Sequence, residues 1–288
     1  MKITKMHALG NNYVYINQFD QKMNPIDMPR LAILVSDVRR GIGSDGMITI
    51  GPSNAAPIRM RIFNADGSEA ETCGNGLRCV AKYAYERKLV EEREFSIETN
   101  AGIVRAHVQP DDMGRVHLVT IDMGLPKFGA NAVHFAGPET LLDASREHAT
   151  VSLIQGEFVG SLVSMGNPHF VTRVLDAKEA PLVDVGPQIE THPSFPSRLN
   201  VEFVSATTRA ELEFRVWERG SGVTYACGTG ACASVAAGVR EGWLNRHVVV
   251  HLQGGDLEIE IQDDGRVMMT GEAVEVLEGE FHLPKSAL

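Results

Sequence analysis

Short segments in which hydrophobic and polar residues alternate make up most of this 288-residue chain, and turns containing glycine or proline separate them. Alternation of this kind predicts β-strands with one buried face. In the first part of the chain, strands are expected at 3–6, 12–16, 47–50, 58–63, 94–98, 103–108 and 116–123. In the second part they are expected at 152–154, 157–164, 170–174, 200–205, 211–217, 248–252, 257–261 and 266–270, with a last strand from 272 onward.

Three segments have helical rather than strand character: 28–37, 77–89 and 231–240. The third of these carries no charged residue before Arg240. A helix that is apolar on all sides is buried. The pattern therefore predicts an α+β fold in which a β-sheet or barrel wraps around a central helix.

Part of the sequence occurs twice. Cys227 lies 154 positions after Cys73 (227 minus 73), and the same offset carries 61–64 onto 215–218. An offset of 156 carries 9–14 onto 165–170. Three segments that recur in the same order predict two pseudo-symmetric domains, 1–126 and 127–271. The final strand, 272–288, is expected to return to the N-terminal domain.

Composition and charge exclude several classes of protein. The formal net charge is −10 and no basic stripe is present, which argues against a nucleic-acid partner. No window contains 18 uninterrupted apolar residues, so no membrane span is expected. Residues 1–7 lack the features of a signal peptide, and we therefore expect a cytoplasmic protein with reduced thiols.

The four cysteines are too few for a disulfide framework, and their spacings do not match zinc-ligand pairs, so no metal is expected. Cys79 and Cys232 are predicted to be buried as small apolar side chains. Cys73 and Cys227 differ from them, because each is followed by Gly-x-Gly and then by a predicted helix.

A thiol at a helix N-terminus has a specific chemistry. The unpaired backbone N–H groups and the helix dipole favour an anion there, and they are expected to lower the pKa of the cysteine. Glycine lets backbone N–H groups approach a ligand, so the same turn can also hold a carboxylate. Cys73 and Cys227 are therefore interpreted as two matched acid/base groups.

Five motifs of the chain together resemble the diaminopimelate epimerase family. They are Asn64-x-Asp-Gly-Ser-x4-Cys73-Gly-Asn-Gly-x-Arg78, Ser164-Met-Gly-Asn-Pro-His169, His192-x2-Phe195-Pro196-x3-Asn200-Val201-x-Phe203, Glu218-Arg219-Gly220 and Ala226-Cys227-Gly-Thr-Gly-Ala231. The resemblance covers nearly the whole chain. It implies a homodimeric isomerase that needs no cofactor and interconverts LL- and meso-2,6-diaminoheptanedioate in lysine and peptidoglycan precursor biosynthesis.

The resemblance also assigns roles to individual residues. Cys73 and Cys227 become the acid/base pair, Glu218 accepts from the ammonium group at the reacting carbon, and His169 tunes the thiols. The remaining binding residues are Asn11, Asn64, Asn167, Asn200 and Arg219, together with the backbone N–H groups of Gly74, Asn75, Gly228 and Thr229. Two departures from the family pattern are Asn12, where aspartate is common, and Gly46, where some members have glutamine.

Other interpretations of the same residues remain open. Asparagine is frequent in turns for conformational reasons, Glu218 and Arg219 could form a solvated ion pair, and His169 could be an ordinary histidine. A relative similar to proline racemase would use two cysteines without needing Arg219. The spacing Gly228-x-Gly230-x-x-Ala233 matches a dinucleotide fingerprint, but no buried strand precedes it. A dithiol redox protein is a further alternative.

Overall fold

The structure is a computed structural model that describes residues 1–21, 27–71 and 73–283. Residues 284–288 of the predicted final strand therefore lie outside the described residues. The chain divides into two compact units: the first comprises Met1–Asp122 with Thr270–Leu288, and the second comprises Met123–Met269. The domain boundaries expected from the sequence, 126/127 and 271/272, lie a few residues after these unit boundaries.

The first unit begins with eight of the strands that the structure describes and two of its α-helices. The strands are Lys2–Ala8 (β1), Asn11–Asn17 (β2), Gly46–Gly51 (β3), Ile58–Asn64 (β4), Glu69–Ala70 (β5), Glu94–Thr99 (β6), Gly102–Pro110 (β7) and Val116–Asp122 (β8). The helices are Met28–Ser36 (α1) and Gly74–Glu86 (α2). Asp27 caps α1, because its side chain accepts a hydrogen bond from the backbone N–H of Arg30.

The second unit contains the following strands and helices. The strands are Lys127–Phe128 (β9), His148–Leu153 (β10), Gly156–Ser164 (β11), Pro168–Arg173 (β12), Asn200–Thr208 (β13), Glu211–Glu218 (β14), Gly222–Val223 (β15), His247–Leu252 (β16), Gly255–Ile261 (β17) and Val267–Glu272 (β18), whose end passes into the first unit. The helices are Leu182–Glu190 (α3) and Gly228–Arg240 (α4), with short 3-10 turns at Ala130–Val133 and Glu139–Leu141. The last strand of the chain, Val274–Glu280 (β19), pairs antiparallel with β1.

The two units repeat one pairing scheme. In the first, β2 pairs parallel with β3, β3 antiparallel with β4, β4 parallel with β6, and β6 antiparallel with β7. In the second, β12, β13, β14, β16 and β17 pair in the same order and with the same directions. A parallel pair needs a crossover connection. Helices α1 and α2 provide the crossovers in the first unit, and α3 and α4 provide them in the second. The predicted α+β fold with two pseudo-symmetric halves is confirmed.

The central helix of each unit is buried. Every residue of α2 from Gly74 to Ala84 is buried, and α4 is buried from Gly230 to Gly238. Cys79 and Cys232 are fully inaccessible within these helices, as predicted from the sequence. The position of each thiol that precedes a helix is therefore fixed by the packing of that helix in its own unit.

Both central helices begin three residues earlier than the sequence pattern indicated. The glycines that were expected to form a turn before each helix instead lie in its first turn. At Gly76 a Cβ would lie 2.7 Å from Cδ1 of Ile48, and at Gly230 it would lie 2.7 Å from Oε1 of Glu202. These glycines are needed for close packing against a neighbouring strand rather than for a turn conformation.

Helix α3 was not predicted from the sequence. Pro187 lies inside the helix, where it removes one backbone donor. A Cβ on Gly186 would lie 2.7 Å from Cβ of Trp217, so tertiary packing against β14 requires glycine at this position. Over the residues that the structure describes, no helix is both long and apolar enough to cross a membrane.

Candidate active site

The Cys73 thiol is the N-cap of α2. Its backbone is extended, with φ −150° and ψ 113°, and its Sγ accepts a hydrogen bond of 3.4 Å from the backbone N–H of Gly76. The side chain is half-buried. Sγ therefore occupies the place that a serine or aspartate oxygen takes at most helix N-termini.

Asn11 lies beside this thiol, and Asp45 orients it. The Sγ of Cys73 donates to Oδ1 of Asn11 at 3.7 Å, while Nδ2 of Asn11 donates to Oδ2 of Asp45 at 3.1 Å. The backbone N–H and the Nδ2 of Asn12 donate to the same Asp45 oxygen, at 2.8 and 3.1 Å. An ionised aspartate at position 12 could not donate in this way, so Asn12 suits its surroundings. Sequence reasoning missed Asp45, although it lies in the glycine loop that precedes β3.

Asn64 and Asn75 complete the predicted site residues of the first unit. Asn64 ends β4 and donates from Nδ2 to Oγ of Ser68 at 3.0 Å. Asn75 is buried, and its Oδ1 accepts from Nη2 of Arg78 at 2.9 Å. Arg78 is fully buried and donates from Nε to the carbonyl oxygen of Glu272 at 3.2 Å. Arg78 thus fixes the first turn of α2 against the segment that precedes β19.

Cys227 is the N-cap of α4 and is buried. Its Sγ lies 3.6 Å from Oγ1 of Thr229. Burial raises the pKa of the Cys227 thiol well above its ordinary value, and the carboxylates of Glu218 and Glu202 raise it further. The expectation that the helix N-terminus lowers the pKa is therefore wrong for this cysteine, because loss of solvation and two nearby acidic groups outweigh the helix dipole.

Glu218 faces Cys227 from the end of β14. Thr224 donates a hydrogen bond from its hydroxyl to Oε1 of Glu218, and the Cys227 thiol donates to the same carboxylate. Burial raises the pKa of Glu218, and the proximity of Glu202 raises it as well. Glu218 is therefore an acidic group near Cys227, and its charge opposes formation of the thiolate.

His169 belongs to a fully buried group in the same unit. Its Nδ1 lies 2.6 Å from Oε1 of Glu202, and its Nε2 lies 3.0 Å from Oδ1 of Asn167. Nδ2 of Asn167 donates to Oγ1 of Thr229 at 3.2 Å. His169 is thus connected to Cys227 through two intervening side chains. Sequence reasoning missed Glu202, which it treated as one more position in a strand.

Asn200 and Arg219 are linked to each other. The backbone N–H of Arg219 donates to Oδ1 of Asn200 at 2.9 Å, and Nδ2 of Asn200 donates to the carbonyl oxygen of Pro168 at 3.0 Å. The guanidinium of Arg219 donates from Nη1 to the carbonyl oxygen of Ser197 at 3.1 Å. These contacts fix the backbone of Arg219 and one end of its guanidinium group.

The backbone donors predicted from the sequence occupy equivalent places in the two helices. Gly74 and Asn75 are the first two residues of α2, and Gly228 and Thr229 are the first two of α4. Backbone N–H groups in the first turn of a helix point toward its N-terminal end, which is the arrangement that binds anions at helix N-termini. Within 1–21, 27–71 and 73–283, no group of three or more His, Cys, Asp or Glu side chains is arranged to hold a metal ion.

Solved structures show which class of fold this is. A predicted epimerase from Pseudomonas aeruginosa superimposes with a TM-score of 0.69 at 17% identity, covering 98% of this chain and 99% of that one. A hydroxyproline epimerase from Agrobacterium vitis superimposes with a TM-score of 0.67 at 18% identity, covering 97% and 90%. The chain therefore has the two-unit fold found in these epimerases.

Sequence comparison identifies the family. The family model described as Diaminopimelate epimerase matches residues 3–129 and 161–276. The diaminopimelate epimerase of Bacillus subtilis (strain 168) is 52% identical over 287 residues, which is 98% of this chain and 99% of the relative. That of Geobacillus kaustophilus (strain HTA426) is 51% identical over 281 residues, covering 97% and 96%. The chain belongs to the diaminopimelate epimerase family, and the resemblance noted in its motifs is confirmed.

Proposed function

We propose that the protein interconverts LL- and meso-2,6-diaminoheptanedioate, as an isomerase of lysine and peptidoglycan precursor biosynthesis. Family membership supports the substrate and the reaction class. The structural observation that carries the proposal is the repeated design of the two units. Each unit presents a cysteine as the N-cap of a buried helix, next to two backbone N–H groups that can bind a carboxylate.

The proposed chemistry uses the two thiols as acid and base. Inversion without a cofactor requires one group to remove the α-proton and another to return a proton to the opposite face. The raised pKa of Cys227 and its hydrogen bond to Glu218 favour a protonated resting thiol there. Sγ of Cys73 also accepts from the backbone N–H of Gly76, a donor that would stabilise the thiolate once the proton donated to Asn11 has left. In the reaction direction that starts from this state, Cys73 acts as the base and Cys227 as the acid.

The developing negative charge on the reacting carboxylate needs donors that are already in place. We assign this role to the N–H groups of Gly74, Asn75, Gly228 and Thr229. A preorganised donor of this kind is worth about 3 kcal/mol in the transition state. Glu218 would accept from the ammonium group, and Arg219 would bind the distal carboxylate, with Asn11, Asn64, Asn167 and Asn200 supplying further polar contacts. No cofactor is part of the proposal, because the thiols and the backbone donors supply both functions that the reaction needs.

Two further parts of the proposal concern the state of the protein. The resemblance to the family implies a homodimer, which sedimentation at working concentration will test. The mechanism requires two reduced thiols, which agrees with a cytoplasmic location. A protein that sediments as a monomer at full activity would contradict the dimer without affecting the chemistry.

The deciding experiment is an inversion assay on the reduced protein with LL-diaminopimelate, with the isomers separated by chiral chromatography. We expect meso product from the parent protein and from Cys79→Ala, which removes a buried thiol that the site does not use. Cys73→Ala and Cys227→Ala should each abolish inversion. Inversion of proline in place of diaminopimelate would support the proline racemase-like alternative, and no inversion of either would contradict the proposal.

A further inference from the structure

Glu202 is a buried acidic residue with an incomplete set of hydrogen bonds. It lies in β13, it is 0% exposed, and its Oε1 contacts Nδ1 of His169 at 2.6 Å. Its other oxygen, Oε2, has no hydrogen-bond partner in the part of the chain that the structure describes. Burying a carboxyl group in this way costs free energy, so its presence requires an explanation beyond packing.

The first unit shows that the fold accepts an apolar residue at the equivalent position. Ile48 lies 154 positions before Glu202, and each of them packs against the third residue of the central helix in its own unit. A Cβ on Gly76 would lie 2.7 Å from Ile48 Cδ1, and a Cβ on Gly230 would lie 2.7 Å from Glu202 Oε1. The side chain of Ile48 is fully buried. A carboxyl group at this place is therefore not a requirement of the architecture.

His169 is likewise particular to the second unit. Tyr13, which lies 156 positions earlier, stands at the equivalent place: Tyr13 is opposite Gly46 in the parallel pair β2–β3, and His169 is opposite Asn200 in the pair β12–β13. Tyr13 hydrogen-bonds to the Cys73 thiol with its own hydroxyl. The second unit has no such direct contact from this position, and it reaches Cys227 through Asn167 and Thr229 instead.

Each hydrogen bond in this series has a defined direction. Oδ1 of Asn167 can only accept, so Nε2 of His169 must carry a proton. Nδ2 of Asn167 donates to Oγ1 of Thr229, which leaves the Thr229 hydroxyl proton available for Sγ of Cys227. The series therefore ends in donation to Sγ, which stabilises a thiolate at Cys227.

The short contact between Glu202 and His169 contains the second ring proton. With one proton on Nε2 and one between Nδ1 and Oε1, the pair is either imidazolium with carboxylate or imidazole with carboxylic acid. Both arrangements are electrically neutral.

We propose that Glu202 is a positioning residue that holds the imidazole of His169 with its Nε2 proton directed at Asn167, so that Thr229 donates to the Cys227 thiolate. Its consequence for catalysis rests on the proposed function, because it acts on one of the two proposed bases. Glu202 is not assigned an acid or base role, because its contact in the structure is with His169.

The charged and titratable groups that face Cys227 lead to two opposite expectations for how removal of Glu202 changes the formation of the Cys227 thiolate. This difference makes the proposal testable. Glu218 faces the thiol from β14, Glu202 from β13, and His169 lies behind it on β12. If Glu202 acted only as a nearby negative charge, its removal would make the Cys227 thiolate easier to form. If it acts through His169, its removal makes the thiolate harder to form, because donation from Thr229 is no longer enforced.

The test measures the pH dependence of alkylation at each cysteine with iodoacetamide, followed by peptide mass spectrometry. The variant Glu202→Ile introduces the residue that the first unit has at this place, and Glu202→Gln is the conservative variant. In Glu202→Ile, we expect the pH midpoint of Cys227 alkylation to rise by about one unit. At a fixed pH below the midpoint, this corresponds to alkylation that is about tenfold slower. Cys73 is the internal control and should not change.

In Glu202→Gln, the rate of Cys227 alkylation should stay within about threefold of the parent rate. The reason is that the glutamine amide N–H can donate to Nδ1 of His169 and keep the ring proton on Nε2. A double-mutant cycle with His169→Tyr completes the test. In that background Glu202→Ile should cause no further shift. An unchanged or lowered midpoint in Glu202→Ile, equal shifts at both cysteines, or additive effects in the cycle would overturn the proposal.

Labelling does not depend on substrate, so this result is separate from the inversion assay. A shifted Cys227 midpoint in a protein that inverts no diaminopimelate would retain the role of Glu202 and refute the proposed function. If the parent protein inverts diaminopimelate but Glu202→Ile leaves the alkylation midpoint of Cys227 unshifted, the proposed function stands and the role of Glu202 is refuted.

Discussion

Gly76 and Gly230 offer a matched pair of substitutions that compares the packing of the two central helices. Each is the third residue of its helix, and each lacks room for a Cβ. The neighbours differ. At Gly76 the new methyl would meet Cδ1 of Ile48 at 2.7 Å and Cε of Met60 at 2.8 Å, both at the ends of flexible side chains. At Gly230 it would meet Oε1 of Glu202 at 2.7 Å, Cζ of Phe214 at 3.0 Å and Sγ of Cys227 at 3.2 Å.

These contacts predict different losses of stability. Replacing glycine by alanine in a helix favours folding by about 1 kcal/mol, whereas overpacking a core costs about 1–3 kcal/mol. For Gly76→Ala the two effects nearly cancel, because the ends of Ile48 and Met60 can move. For Gly230→Ala the Phe214 ring and the carboxyl group bonded to His169 cannot both move. Weakening a hydrogen bond that involves a charged group adds about 1.5–3 kcal/mol.

We therefore expect Gly230→Ala to lower the free energy of unfolding by about 2 kcal/mol or more relative to Gly76→Ala. The assay is urea unfolding followed by circular dichroism, with the slope compared between variants to exclude a change in the unfolded state. Gly230→Ala should also slow inversion, since its methyl would press on Sγ of Cys227. Equal stability of the two variants, or a larger loss for Gly76→Ala, would refute the packing argument.

Two further predictions concern Asp45 and His148. Asp45→Ala removes the acceptor that orients the amide of Asn11, so we expect kcat/KM to fall by tenfold or more, a loss of at least about 1.4 kcal/mol. The control variant Asp45→Asn should retain part of the activity. A loss of thermal stability without a loss of kcat/KM would contradict this role. Burial lowers the pKa of His148, but the carboxylates of Glu241 and Asp143 outweigh burial and raise it. A raised pKa in the folded state contributes stability that is present at pH below about 6.5 and is lost as pH rises through the folded value. The free energy of unfolding should therefore fall as pH rises above about 6.5 and through the folded-state pKa of His148. His148→Gln should flatten that fall; an identical pH dependence in the variant would exclude the role of His148.

The repeat of the chain could be recognised from sequence because glycine and cysteine positions recur at nearly constant offsets. The alternation of β4 and β14 and the uniformly apolar α4 were likewise visible, since a single pattern is enough to predict each of them. Helix α3 was missed because glycine and proline both disfavour a helix interior, and glycine is needed at position 186 only because Trp217 packs against it. Local sequence carries no signal of that contact.

Those parts of the candidate site that depend on the chemistry of a single residue type could be predicted from the sequence. Cys73 and Cys227 could be selected because each precedes a glycine-containing helix start. The direction of the Cys227 pKa shift could not be predicted, since it depends first on burial and then on Glu218 and Glu202, which come from different strands. Asp45 and Glu202 were missed for the same reason: each acts through a hydrogen bond to a residue more than thirty positions away in the chain.

The central claim is that two different groups exchange the proton, one on each face of the α-carbon. The most direct test is to start the reaction with LL-diaminopimelate in D2O and to stop it early, while little product has formed. The account predicts that the meso product carries one deuterium from solvent at the inverted carbon, while the recovered LL substrate remains protiated, because the base that removes the proton is not the acid that replaces it. Equal deuterium in substrate and product would mean that a single group serves both faces, and would contradict the account.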